Sequence, residues 1–285
     1  MHDPVELAHL LRHAAANAAL YGAAATRIGA RARRTRGTRA REERLVFVVG
    51  SPRSGTTFVA RALGALPDFV DLGEVKPWKA AIPQAVELQP HVAGALLRTI
   101  LERVRRLGAA RGLRGVEQTP ETSFVLPAVL AAYPEAAAVH VVRDGRDVVS
   151  SLLERAWLSA GRGGHDDVGA SYGSQPRFWV EPERREEFRE TSDAARAAWA
   201  WRRYVEAARS VPSRTIELRY EELVAAPAAV AERVAREIEA DAASLVAAFS
   251  RAVARSRGRW RRDLAPDAVA DVEREAGALL RELGY

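Results

Sequence analysis

Residues 45–57 read LVFVVGSPRSGTT. The first five are apolar and the run stops at Gly50, the pattern of a strand covered on both faces. Residues 56–66 then take a helical pattern, so GSPRSGTT (50–57) is a strand-to-helix turn. It has the form G-x-x-x-x-G followed by two threonines. Such a loop wraps an anion in backbone N–H groups at the positive end of a helix. The hydroxyls of Ser54, Thr56 and Thr57 can add hydrogen bonds beside Gly55. The lysine with which nucleoside-triphosphate hydrolases reach the terminal phosphates is replaced by Thr56. That departure weakens a reading as an ATPase or a small-metabolite kinase and leaves Arg53 as the loop's cation.

Outward from this loop, strands and helices alternate. A second buried strand is expected at 137–142 (AAVHVV), a third at 214–218 (RTIEL) and a short one at 114–117 (RGVE). Helical patterns cover 4–34, 84–108, the stretch from Glu121, residues 148–158 and the chain after 219. The alternation predicts an α/β domain, three layers deep and P-loop-like, with a central parallel sheet flanked by helices. Residues 161–190 are rich in Gly, Pro and charge, and 155–200 reads as an insertion or cover over the acceptor site.

The strand at 137–142 runs straight into RDGRDVVSS (143–151). Arg143 therefore sits at the carboxyl end of a parallel strand, where open α/β sheets place their ligands. A guanidinium can fork two phosphate oxygens, and Ser151 in the following helix can supply another contact. A second anion site close to the first implies a ligand with two separate phosphates. His140, alternating within an apolar strand, reads as a core residue.

The two motifs together resemble sulfotransferases that use 3′-phosphoadenosine-5′-phosphosulfate. GSPRSGTT is similar to their 5′-phosphosulfate loop, and the Arg143 to Ser151 spacing is similar to their 3′-phosphate site. LGEVKPW (72–78) resembles the acidic segment of the protein-tyrosine and carbohydrate branches, and VEQTPET (116–122) a family segment written E-K-T-P. RYEELVAAP (219–227) resembles the R-Y-E-D-L stretch, and SRGRW (256–260) the segment that closes over the 3′-phosphate. The resemblance implies that Arg53, Ser54, Gly55, Thr56, Thr57, Arg143, Ser151, Tyr220, Arg257, Gly258 and Arg259 hold the nucleotide. It implies in-line transfer of a sulfuryl group to a hydroxyl without a required metal. Glu74 is the expected general base, and Arg53 the expected partner of the 5′-phosphate and the transferring group. The E-K-T-P lysine corresponds to Gln118, so either Arg53 carries more of the catalysis or another cation steps in, with Lys76 either the candidate or a bystander surface residue. An impaired nucleotide-binding relative is the alternative. Arg255 and Arg261 flank the 257–259 cluster with equal charge. Trp260 either packs beneath adenine or fills core. Trp78, Trp157, Phe178 and Trp179 are candidates for an acceptor pocket or for aromatic core.

Composition narrows the rest. The 285 residues carry a net charge of +6 and no cysteine, which excludes disulfides, thiolate metal sites and a cysteine nucleophile. Residues 1–44 hold nine Arg against four acids, leaving 34 basic against 33 acidic residues in the remainder. The N-terminal segment thus forms a basic helical arm before a domain at 45–285, and an Arg-rich arm can serve a polyanion or a membrane surface. The near-neutral remainder, with its few placed arginines, suits a small nucleotide and a small-molecule or carbohydrate hydroxyl rather than nucleic acid. No long apolar run predicts a membrane span, and the start makes a poor signal peptide. These features point to a cytoplasmic, bacterial enzyme, with a homodimer left open.

Overall fold

A computed structural model describes residues 4–32, 42–155, 157–158, 164–165, 171–173, 177–253 and 257–285. In chain order the elements are α1 (Pro4–Ala32), β1 (Val46–Val49), α2 (Thr56–Gly64), β2 (Phe69–Gly73), α3 (Lys76–Val86), α4 (Pro90–Leu107) and β3 (Arg114–Glu117). A 3₁₀ turn (Pro120–Val125) leads to α5 (Leu126–Ala132), β4 (Ala137–Val142) and α6 (Gly145–Leu153). The small strands β5 (Gly164–His165) and β6 (Ser171–Gly173) come next, then α7 (Arg185–Glu190), α8 (Asp193–Ala208), β7 (Thr215–Arg219), α9 (Tyr220–Ala225), α10 (Pro227–Glu237), α11 (Ala242–Phe249), α12 (Trp260–Asp263) and α13 (Pro266–Glu282).

Five strands form one sheet in the order β2-β3-β1-β4-β7, every pair parallel. β1 is central, and its two faces sort its side chains by the strand period of two. Leu45, Phe47 and Val49 join one core cluster beneath α1, α3, α4 and α5, whereas Val46 and Val48 join the other beneath α2, α10 and α11. This is why the run from Leu45 is apolar without alternation. Emptying such a position, Phe47→Ala for instance, costs about 3–5 kcal/mol. A third cluster packs α6, α8 and α13 together. From β1 the chain runs to β2 on one side and later to β4 on the other. The strand order therefore reverses at β1, and the crevice expected at such a switch opens at its carboxyl end.

The structure differs from the sequence expectations in four places. β2 was not foreseen: it is an edge strand of five residues, and Asp71 interrupts its apolar run. The helical region 84–108 is two helices parted before Pro90, whose ring suits a first turn but not a helix interior. The expected cover at 155–200 ends in core, because Ala194, Ala197, Ala198 and Trp201 of α8 are buried in the third cluster. Within 161–190, residues 161–163, 166–170 and 174–176 lie outside the described residues. The last turns of α1 do not stand off the domain: Ala24, Ile28 and Ala32 are buried in the first core cluster.

Candidate active site

The loop after β1 owes its shape to two glycines and one strained arginine. Gly50 has φ 133°, and a Cβ there would lie 2.4 Å from the carbonyl oxygen of Val141. Arg53 and Gly55 follow at φ 73° and 103°. Gly55 caps α2 without any side-chain cap, so the helix's first-turn N–H groups face the loop. A Cβ at Gly55 would meet the Tyr220 ring at 2.8 Å. The Ser54 hydroxyl is buried and has no hydrogen-bond partner among the described residues. A buried hydroxyl in that condition, inside a loop of inward-turned backbone, fits an anion.

Three distant segments converge on this loop. Arg53 Nε donates to Ser151 Oγ at 3.0 Å, and Arg143 Nη1 reaches the Arg53 carbonyl at 3.4 Å. The Arg143 guanidinium lies 4.8 Å from the Tyr220 ring centroid and 3.4 Å from Asp147. Asp147, one turn into α6, also accepts the N–H groups of Gly258 (2.7 Å) and Trp260 (3.1 Å). One buried carboxylate thus holds the 257–260 segment beside Arg143. Gly258 adopts φ 69°, as a tight turn requires. Within that segment the arginines differ. Arg259 bonds Glu154 and Asp263, which raise its already high pKa, while Arg257 is exposed. Residues 254–256, including Arg255, lie outside the described residues. Trp260 is half-buried with the guanidinium groups of Arg146 and Arg261 at 4.4 and 4.7 Å from its ring.

Glu74 is placed by the end of β2. The β2–β3 register slips between Asp71 and Gly73, and Gly73 turns the chain at φ 62°. Gly73 N donates to Asp71 Oδ1 at 2.7 Å, and Gln118 N donates to the Gly73 carbonyl at 3.2 Å. Glu74 then lines a cavity of about 120 Å³ together with Arg53, Thr56, Thr57 and Gln118. Lys79 Nζ lies 3.2 Å from Glu74 and 3.4 Å from Glu121, and its side chain is 8% exposed. Gln118 Nε2 donates to Thr56 Oγ1 at 3.4 Å. Trp157, Arg177, Trp179 and Tyr204 also line the cavity, with the Arg53 guanidinium 5.9 Å from the Trp157 ring centroid.

Next to Gln118 in the chain, Glu117 is fully buried. Burial pushes its carboxyl up to about 8 against the pull of hydrogen bonds from Thr119 and Thr122. Thr122 Oγ1 also accepts from Trp78 Nε1 at 2.8 Å, and Trp78 stacks on Phe47 at 5.9 Å. Trp78 is therefore core and not a pocket wall. Phe178 packs edge-on against Phe124 at 5.3 Å, while Trp157 and Trp179 do line the cavity. His140 is buried in the sheet opposite Glu217, and burial lowers its pKa. Lys76 lines a neighbouring cavity, not the one that holds Arg53. The cation that does reach Glu74 is Lys79, which sequence reading passed over. It is the only other lysine, five residues past Glu74, and one turn of α3 separates it from Lys76. Glu121, Arg177 and Tyr204 had no distinguishing spacing.

Comparison with known proteins agrees with this geometry. The sequence profile of the sulfotransferase family matches residues 46–244, so the chain belongs to the sulfotransferase family. A Caenorhabditis briggsae protein named as a candidate protein-tyrosine sulfotransferase is 30% identical over 136 residues, 44% of this chain and 48% of that protein. The aligned stretch is thus about half the length of that relative. Among solved structures, sulfotransferase STF9 from Mycobacterium avium superimposes with a TM-score of 0.53 at 15% identity, covering 85% of this chain and 77% of that one. The sulfotransferase domain from the curacin biosynthetic pathway gives 0.51 at 16% identity, covering 84% and 98%. These likenesses place the fold with the sulfotransferases, P-loop-like and built on a parallel sheet. Among the described residues no helix is long and apolar enough to cross a membrane.

Proposed function

We propose that this chain transfers a sulfuryl group from 3′-phosphoadenosine-5′-phosphosulfate to a hydroxyl of a small molecule or carbohydrate. The observation that carries the reading is the convergence of Arg53, Ser151, Arg143 and Glu74 on one loop whose buried Ser54 hydroxyl has no hydrogen-bond partner among the described residues. The loop backbone, Ser54, Gly55, Thr56 and Thr57 suit the 5′-phosphosulfate. Arg143, Ser151 and the turn at Arg257, Gly258 and Arg259 suit the 3′-phosphate. Tyr220, held between Gly55 and Arg143, is the surface for adenine.

The chemistry follows from the side chains. Glu74 takes the proton of the acceptor hydroxyl as its oxygen bonds to sulfur. The bond between sulfur and the 5′-phosphate oxygen breaks, and that oxygen keeps the electron pair. Arg53 and the N-terminus of α2 stabilise the charge gathering there. The family's lysine position is occupied by neutral Gln118, and Lys79 supplies the positive charge from the next helix instead. Trp157 and Trp179 give the acceptor an apolar wall, and Arg177 gives it a polar edge.

Titration calorimetry with adenosine-3′,5′-bisphosphate tests the reading: tight one-to-one binding is expected, and binding of ATP without the bisphosphate would overturn it. Arg143→Ala should weaken the bisphosphate by roughly ten- to hundredfold, as loss of charge-assisted hydrogen bonds does, and adenosine-5′-phosphate far less. Equal losses would remove Arg143 from the 3′-phosphate.

A further inference from the structure

A second cavity, of about 290 Å³, shares Thr57, Glu74 and Gln118 with the first. Its remaining walls are cationic: Arg27 and Arg31 from α1, Arg61 from α2 and Lys76 from α3, against Asp71. Two of the four cations are fixed in place. Arg27 donates to the carbonyls of Leu72, at 3.0 Å, and Glu74, and Arg31 donates to the Asp71 carbonyl at 2.8 Å. Arg31 is 2.9 Å from the Asp71 carboxylate, whereas Arg27 gives its hydrogen bonds to neutral carbonyls and feels the carboxylates of Asp71, Glu74 and Glu117 without a direct ion pair among the described residues. Burial and the like charge of Arg31 both push the Arg27 pKa down. Its Nε is buried with no hydrogen-bond acceptor among the described residues. Neither Arg61 nor Lys76 has an ion-pair partner among them.

Preorganised like charges around a cavity are unfavourable until an anion enters. The nucleotide's phosphates have their own partners: Arg143 and Ser151 lie outside these walls, and of the 50–57 loop only Thr57 reaches them. Glu74, however, lines both cavities. We propose that the Arg27–Arg31–Arg61–Lys76 cleft binds an anionic group, a carboxylate, phosphate or sulfate, carried by the acceptor whose hydroxyl meets Glu74. The acceptor is then an acidic molecule, held at two points. Its link to Glu74 rests on the sulfuryl-transfer reading, but the anion site itself does not.

The full chain saturated with adenosine-3′,5′-bisphosphate is titrated with inorganic pyrophosphate by calorimetry. One further site is expected, weakened about tenfold or more in the Arg61→Ala/Lys76→Ala double variant, with bisphosphate affinity unchanged. Absence of that site, or equal affinity in the double variant, overturns the anion cleft. Failure of the bisphosphate to bind overturns the sulfotransferase reading instead, and pyrophosphate titration of the protein alone then judges the cleft. Sulfation of 4-hydroxyphenyl phosphate against phenol separates an acceptor's own anion from a free ion. A kcat/KM advantage of about tenfold for the phosphate-bearing compound, lost in the double variant, is expected. No advantage, or one that survives in the double variant, removes the acceptor from the cleft.

Discussion

The proposed nucleotide side and the proposed acceptor side of the cavity are built by different means. The nucleotide side is mostly backbone: the 50–57 loop, the N-terminus of α2, and residues that follow directly on strand ends, such as Arg143 after β4 and Tyr220 after β7. The acceptor side is side chains brought from α3, the 3₁₀ turn, α8 and the 157–179 stretch. Main-chain geometry tolerates little change, because each loop glycine is fixed by φ and by a close neighbour. A wall of side chains can be recut one residue at a time. On the proposed function the molecule combines a rigid anion cradle with an acceptor wall free to take on a particular partner.

Substitutions can break that contrast or sharpen it. The largest effect is expected for Glu74→Gln: turnover falls by about 10²–10⁴, the usual weight of a positioned base, while calorimetry finds bisphosphate affinity intact. Undiminished turnover would take Glu74 out of the base role. Next is Lys79→Met, expected to lower kcat by roughly 10² if its ammonium does the work assigned to a charge-stabilising donor. A change confined to acceptor KM would make Lys79 a wall residue only. Gly55→Ala tests the cradle. At φ 103°, with the Tyr220 ring 2.8 Å from the new methyl, bisphosphate should bind about tenfold more weakly. Trp157→Ala should raise acceptor KM by about tenfold and leave bisphosphate affinity near its starting value, although Arg53 sits 5.9 Å from that ring. A loss of nucleotide affinity there would show that the two sides are one.

The smallest effect concerns Glu117. Its folded-state pKa is raised to about 8, above the ordinary carboxyl value. Stability is therefore full below that ordinary value and declines as pH climbs through about 8, because the unfolded chain releases the proton more readily. Glu117→Gln cannot ionise and should flatten the fall in Tm between pH 5 and 8, which the shift sets at about 1.4 kcal/mol per pH unit and a few degrees per kcal/mol. An unchanged slope by calorimetry would mean that other groups set the alkaline limit.

The strand, loop and helix start at 45–57 were legible in the sequence because local chemistry fixes them. An apolar run, two glycines and a hydroxyl-rich turn determine a strand, a loop and a helix start within a dozen residues. The four strands read from apolar runs are all in the sheet. β2 escaped because an edge strand carrying Asp71 lacks such a run. Lys79 escaped for a different reason: its importance depends on Glu74 and Glu121 arriving beside it, and those meetings are set by the bulge at Gly73 and the turn after β3. The fate of the basic N-terminal segment was equally hidden. Its arginines read as surplus charge, and only packing of Ile28 beneath the sheet turns Arg27 and Arg31 inward.

That packing bears on where the working unit starts. The family match opens at Val46, at the first residue of β1. A polypeptide cut there would retain the whole sheet and the nucleotide loop. It would also lose the guanidinium that clasps the carbonyls of Leu72 and Glu74 from α1. Such a fragment should keep its grip on the nucleotide while the proposed base swings loosely on an unbraced turn. On the proposed function, the minimal catalyst begins before the stretch that the family profile matches.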